Sequence, residues 1–262
     1  MPVNCKICKN ITYSFGSSEV LGKYKASYQR CSSCGFIFVA EPFWLAESYA
    51  EPIARTDIGT ISRGDENSRY TKAIIELFLN PSGAFLDFGA GFGILVRRMR
   101  DLGYSFSSLD PYCQNLFAST FRVESLVGAT FDMITAFEVV EHAESPMEIF
   151  DCIFEHTDSL FFTTEIIPDP APGPDDWWYY GLDHGQHLSF FTGASLQYIA
   201  TRSGKKLYSD GARLHFMTSR PVNKLLYRIA TKRQFCRWFD LLCNRGSLLE
   251  ADYCKVRSDK RR

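Results

Sequence analysis

Leu86-Asp87-Phe88-Gly89-Ala90-Gly91-Phe92-Gly93 decides how this chain of 262 residues is read. The apolar run Ala84-Phe85-Leu86-Asp87-Phe88 reads as a buried strand, and Gly93 to Leu102 reads as a helix ended by Gly103. A glycine-rich turn between strand and helix lets a ligand come close to the backbone, because glycine has no Cβ in the way and reaches left-handed conformations. In open α/β sheets, ligands bind beyond the carboxyl ends of the strands, where such a turn lies. The spacing is Gly-x-Gly-x-Gly after an acidic residue, not the Gly-x-Gly-x-x-Gly of a pyrophosphate loop. Asp87 therefore suits a ligand carrying positive charge, with Gly89, Ala90, Gly91 and Gly93 as its approach. A second carboxylate, Asp110, ends the next strand (Ser105 to Leu109), where it could accept from both hydroxyls of a ribose. A tight turn without a ligand and a surface Asp-Pro turn are the plainer readings of these two features.

Outward from this turn, helix and strand patterns alternate. Ser68 to Leu79 places Tyr70, Ile74, Ile75 and Phe78 on one helical face, and Pro81-Ser82-Gly83 breaks it. Phe131 to Phe137 and Leu160 to Thr164 read as strands. Between them, Ser145-Pro146-Met147-Glu148 reads as a helix start with a capping serine, proline at the first position and glutamate after it. Gly193 to Ser203 reads as a helix, and Lys206 to Ser209 and Arg213 to Thr218 as a closing hairpin turned at Asp210-Gly211. The alternation predicts an α/β fold with a mostly parallel, doubly wound sheet over residues 67–218. Residues 1–40 form a cysteine-containing module, 41–66 a connector, and 219–262 a helical C-terminal extension. Helix is expected over 221–253, with a frayed basic tail from Lys255.

Leu86 to Gly93, Asp110 and Phe131-Asp132-Met133-Ile134-Thr135-Ala136-Phe137-Glu138-Val139-Val140-Glu141-His142 resemble the class I S-adenosylmethionine-dependent methyltransferases. The resemblance covers roughly residues 67–218 and implies a Rossmann-like core. It implies S-adenosylmethionine at Asp87, Gly89, Ala90, Gly91, Gly93 and Asp110, with Phe137 and Glu138 lining its methionine end. The sulfonium and amino group of that donor match the acidic turn. Only about 20 residues separate Asp110 from Phe131, where the family has a third strand ending at the adenine. Phe121-Arg122-Val123 reads as its remnant, and no adenine contact is assigned.

Cys5-Lys6-Ile7-Cys8 and Cys31-Ser32-Ser33-Cys34-Gly35 form two C-x2-C pairs separated by 22 residues. Two such knuckles supply four thiolates for one tetrahedral zinc ion, and four cysteines leave no open position, so the role is structural. A module of this size buries too little core to fold unaided. Free thiols or a redox pair are the alternatives. Cys113, Cys152, Cys236, Cys243 and Cys254 are expected to be small core residues.

Residues 165–192 form a long loop after the strand ending at Thr164, rich in aromatics (Trp177-Trp178-Tyr179-Tyr180) and carrying His184 and His187. A loop of this length suggests a lid, whose rings could shield a sulfonium or stack on a substrate, or simply close the core. Histidine titrates near neutrality and could take a proton from the methyl acceptor. No third ligand is evident beside His184 and His187, so no metal is expected there. Gln186-His187-Leu188-Ser189-Phe190-Phe191-Thr192 resembles a segment of a bacterial methyltransferase branch that also begins with paired cysteines. That branch includes sugar C-methyltransferases and surface-polysaccharide enzymes. The resemblance implies a small-molecule acceptor, such as a sugar or nucleotide-sugar, with His187 as base. In the sugar enzymes a Glu-His pair stands where Gln186-His187 stands here, and a further C-terminal domain follows.

The 29 basic and 30 acidic residues give a net charge of −1, which argues against a nucleic-acid acceptor. A basic patch of Lys23, Lys25, Arg30 and the tail would revive an RNA methyltransferase. A non-enzymatic cofactor-sensing or partner-recruiting protein, and a nicotinamide oxidoreductase, are less consistent with the turn. No apolar run spans a bilayer and no signal-peptide pattern opens the chain, so a cytoplasmic location is the default.

Overall fold

The computed structural model describes residues 3–50 and 57–259. Their contacts group into two compact units. One comprises the described residues of Met1–Arg55, Glu138–Glu155 and Phe162–Ser219, and the other those of Thr56–Phe137, His156–Phe161 and Arg220–Arg262.

The first unit opens with strands β1 (Thr12–Val20), β2 (Tyr24–Cys31) and β3 (Ile37–Val39). Sequence periodicity left them unassigned. β1 and β2 form an antiparallel hairpin whose turn places Leu21 and Gly22 in the left-handed region. β3 continues the sheet and pairs on its far side with β8 (Ser189–Phe190), Ile37 facing Phe190. The cysteine module thus shares its sheet with a segment about 150 residues later in the chain and is not a free-standing domain. A short helix α1 (Leu45–Ser48) follows it. Tyr28, Ile37, Trp44, Tyr179, Tyr180 and Phe190 form the core of this unit. Tyr179 and Tyr180 are buried, so they close the core; of the four adjacent rings only Trp178 is exposed.

In the second unit, α2 (Thr60–Phe78) begins within the expected connector, several residues before Ser68. Strands β4 (Ala84–Phe88) and β5 (Ser105–Leu109) are parallel, with α3 (Ile94–Asp101) between them, and β6 (Met133–Ala136) is parallel on the other side of β4. Leu86, Phe106, Met133 and Ile134 are buried in it. No α-helix intervenes between β5 and β6. The remnant at Phe121–Val123 survives as one parallel bridge between Ser108 and Arg122.

The remaining strands are β7 (Ser159–Thr163), β9 (Lys206–Ser209) and β10 (Leu214–Thr218), with α4 (Pro146–Phe154) before β7 and α5 (Gly193–Arg202) before β9. The sheet order is β5-β4-β6-β7-β10-β9, with β9 and β10 antiparallel. This is the Rossmann-like, mostly parallel α/β arrangement with a closing hairpin. Ser145 precedes α4 but makes no side-chain capping bond. Its ψ of 77° departs from the extended value that aims a capping hydroxyl at the first turn. The capping box instead opens α5, where Thr192 and Ser195 exchange side-chain bonds with each other's backbone N–H.

The C-terminal extension is three helices, α6 (Lys224–Ala230), α7 (Arg233–Leu242) and α8 (Leu249–Asp259). The tail is helical as far as Asp259 because its helix is anchored. Asp252 is buried and takes a two-pronged bond from Arg100 (2.8 and 2.5 Å), and the buried Lys72 ammonium meets Asp240 on α7 at 2.6 Å. Of the five later cysteines only Cys236 is a core residue; Cys113, Cys152 and Cys243 are partly exposed and Cys254 is exposed.

Candidate active site

The turn after β4 is built on three left-handed glycines, Gly89 (φ 71°), Gly91 (φ 52°) and Gly93 (φ 83°), a conformation costly for residues with a Cβ. A Cβ at Gly93 would sit 2.2 Å from the amide oxygen of Asn115. Asp110 clamps the turn: one carboxylate oxygen accepts from Gly91 N–H (2.7 Å), the other from Tyr112 and Cys113 N–H (2.8 and 2.9 Å). A carboxylate has about four lone-pair positions, so gripping two ribose hydroxyls requires release of at least one of these bonds. Asp87 is buried and accepts from Thr135 Oγ1 at 2.7 Å. Burial, with a further push from the nearby Asp110, raises its carboxyl to about 7, against the hydrogen bond from Thr135. Two carboxylates beside a glycine-rich turn suit a cationic ligand, so the residues fit the donor expected there. Phe137 stands edge-on to Phe161 at 5.4 Å.

In the other unit, Glu138 is a non-glycine residue in the left-handed region (φ 57°). Its N–H donates to Thr163 Oγ1, which in turn donates to its carboxylate, both at 2.9 Å. The 3-10 turn Val140–His142 follows. Glu141 is wholly buried. Its Oε1 accepts from the Tyr179 hydroxyl at 2.7 Å, while Oε2 has no hydrogen-bond partner among the described residues. The His142 ring lies 4.9 Å from that of His187, which lies 4.8 Å from that of His184. His187 Nδ1 is 2.6 Å from the Tyr179 carbonyl, which only accepts, so the proton is on Nδ1 and Nε2 keeps its lone pair. Gln186 N–H donates to His184 Nδ1 at 3.1 Å, and the Gln186 amide is tied to the Ser48 carbonyl. Gln186 therefore positions its neighbours.

Burial, then the neighbouring His184, lowers His187 to about 3, and burial with the two other imidazoles holds His142 well below the ordinary histidine range. Burial, then the charge of Glu138, lifts Glu141 well above the carboxylate range. Burial thus moves His187 away from the near-neutral range expected of it. Sequence reading paired only His184 and His187. The fold brings Glu141 and His142 to His187, ligand atoms of all three lying within 4.8 Å of one another. The Glu-His dipeptide was visible; its meeting with a histidine 45 residues later was not.

The four module cysteines meet, with Sγ–Sγ separations of 3.7 Å (Cys5–Cys34), 3.4 Å (Cys8–Cys31) and 3.6 Å (Cys8–Cys34). Tetrahedral bonds of about 2.3 Å to zinc would set such distances near 3.8 Å. Each knuckle turns N–H groups onto its first sulfur: Ile7 and Cys8 onto Cys5, Ser33 and Cys34 onto Cys31. Left-handed Lys9 (φ 63°) and Gly35 (φ 71°) complete the two turns. The set is compatible with one zinc ion.

A family model described as a methyltransferase domain matches residues 63–209. The chain belongs to that family. It is an enzyme, and family membership together with the acidic glycine turn supports S-adenosylmethionine-dependent methyl transfer. This methyltransferase is also similar in fold to several solved structures. One is magnesium protoporphyrin IX methyltransferase from Synechocystis PCC 6803 with bound S-adenosylmethionine (13% identity, 66% of this chain and 88% of that chain, TM-score 0.45). Another is the plantazolicin methyltransferase with S-adenosylhomocysteine (12%, 67% and 94%, TM-score 0.48). A third is an S-adenosylmethionine-dependent methyltransferase from Thermotoga maritima (11%, 69% and 100%, TM-score 0.46). No curated protein matches the methyltransferase.

Proposed function

We propose that this methyltransferase holds S-adenosylmethionine in the Asp87–Gly93 turn and methylates a small molecule, of the sugar or nucleotide-sugar class. The observation that carries the donor half of the reading is the turn itself: three left-handed glycines clamped by Asp110 beside the buried Asp87; the acceptor class rests on the resemblance of residues 186–192. The donor supplies an electrophilic methyl group on a good leaving group. Gly89, Gly91 and Gly93 give it backbone without a Cβ in the way, and Ala90 adds only a methyl group. Asp87 answers its positive charge, Asp110 receives its ribose, and Phe137 and Glu138 belong to its methionine end. What remains for the protein is to orient the acceptor, exclude water and take its proton. His187 and His184 serve the acceptor: each is fixed in one tautomer, and His187 offers the Nε2 lone pair. Cys5, Cys8, Cys31 and Cys34 hold a structural zinc ion.

Two basic residues that would favour an RNA acceptor are engaged otherwise. Lys23 is paired with Glu47 at 2.6 Å, and Arg30 lies over the Phe15 ring. Calorimetry with S-adenosylhomocysteine tests the donor site. Asp110→Ala is expected to weaken binding by about 1–3 kcal/mol, roughly 5- to 150-fold, the scale of a charge-assisted hydrogen bond. Unchanged affinity would refute the ribose assignment. His187→Ala should lose turnover with donor affinity intact; full turnover would remove it from the acceptor end.

A further inference from the structure

We infer that Glu141, His142 and His187 form a second metal site, distinct from the four cysteines, which takes one divalent transition-series cation through a carboxylate oxygen and two imidazole nitrogens. The inference rests on the acceptor-end reading above and gives it a chemistry.

Three observations carry it. The ligand atoms already converge, all lying within 4.8 Å of one another. The segments bearing them are locked together, since Leu188 N–H donates to the Glu141 carbonyl at 2.8 Å and Ser189 Oγ donates to the Ala143 carbonyl at 2.7 Å. The third is Glu141 Oε2, wholly buried and without a hydrogen-bond partner among the described residues, in a residue whose other oxygen is satisfied. A buried carboxylate oxygen left unpaired is costly, and a cation at that place satisfies it.

The surroundings are those of a ligand set. Metal-bound histidines characteristically donate their outer N–H to a carbonyl, and metal-bound carboxylates are themselves hydrogen-bonded. Tyr179 does both: its carbonyl takes the His187 Nδ1 proton and its hydroxyl holds Glu141 Oε1. His142 Nδ1 faces the Tyr49 hydroxyl at 3.3 Å. Two imidazoles and one carboxylate favour zinc, manganese or iron(II) over magnesium or calcium, which prefer oxygen throughout. Three protein ligands leave positions open for a substrate oxygen. The acceptor class is therefore one presenting a hydroxyl, which the cation would orient and acidify so that its proton passes to water.

Manganese(II) is the probe, because it takes nitrogen and oxygen ligands and the cysteine site favours softer metals. Titration of the full chain followed by electron paramagnetic resonance should find about one bound manganese per chain. His187→Gln and Glu141→Gln should each weaken it by more than tenfold. Tyr179→Phe should weaken it by roughly 10- to 100-fold, the cost of losing an outer partner. His156→Gln, whose ring meets the Ala129 carbonyl and is not one of the converging ligands, should leave it unchanged. S-adenosylhomocysteine affinity, measured on the same samples, should stay at the wild-type value and reports folding. It also separates the two readings, because the donor site can fail while manganese binds, and the reverse. A wild-type chain without a manganese site, or His187→Gln and Glu141→Gln proteins that bind donor and manganese like wild type, would overturn the inference.

Discussion

Replacing Gly93 by alanine tests the turn on which the donor site depends, and its cost can be worked from two contributions. The backbone there is left-handed, with φ at 83°, which costs an L-residue about 1–2 kcal/mol. The new Cβ would lie 2.2 Å from Asn115 Oδ1 and 2.6 Å from its Cγ, so the amide must move. That amide is buried and accepts from Ala118 N–H at 2.7 Å while donating to Ser108 Oγ at 2.8 Å. Losing both bonds costs roughly another 1–3 kcal/mol. Gly93→Ala should therefore lose about 2–5 kcal/mol by urea unfolding, a large part of the 5–15 kcal/mol typical of a domain. Gly204→Ala is the control: φ is 67°, but no atom lies within 4 Å of its Cβ position, so only the backbone cost of about 1–2 kcal/mol applies. Equal losses for the two variants would refute the packing argument at Asn115. A Gly93→Ala protein within about 0.5 kcal/mol of wild type, the usual effect of an innocuous substitution, would refute the whole account of the turn.

Asp87 predicts a pH dependence. Its carboxyl is raised to about 7 by burial, so between pH 4 and 7 the folded chain holds a proton that the unfolded chain releases, and stability falls as pH rises, by up to about 4 kcal/mol at pH 8. Asp87→Asn should be more stable than wild type at pH 8, little changed at pH 4, and weaker in donor binding; a stability difference independent of pH would contradict this. Cys31→Ser should abolish zinc at the four-sulfur site and open β1–β3 to proteolysis, because a structural zinc site contributes its binding energy to folding. A variant that resists protease like wild type without that zinc would remove the structural role.

Regular patterns made much of the six-stranded sheet legible. β4, β5 and β9 run over the residues that apolar runs and glycine breaks mark out, because each is bounded by residues that cannot continue it. β1 and β2 escaped notice because most of their residues are polar and partly exposed, so no apolar stripe marks them. The start of α2 was hidden by Gly59 and Gly64, which read as loop signals yet lie at and within a helix. At the site, Asp87, Asp110 and the glycines were visible because their spacing is local. Glu141, His142 and His187 converge through Leu188 bonding to Glu141 and Ser189 bonding to Ala143, a register that a linear reading does not contain. The aromatic run was visible, but not its destination in the core around Tyr28.

The pairing of Ile37 with Phe190 has a consequence for biosynthesis. β3 leaves the ribosome about 150 residues before its partner, a wait of roughly 8–30 seconds at ordinary translation speed. For that interval the nascent hairpin presents a bare edge, the sort of surface that recruits stray strands. Early capture of a metal ion by the two cysteine knuckles would clasp the hairpin during the delay, so zinc supply during translation should govern how much of the protein escapes aggregation.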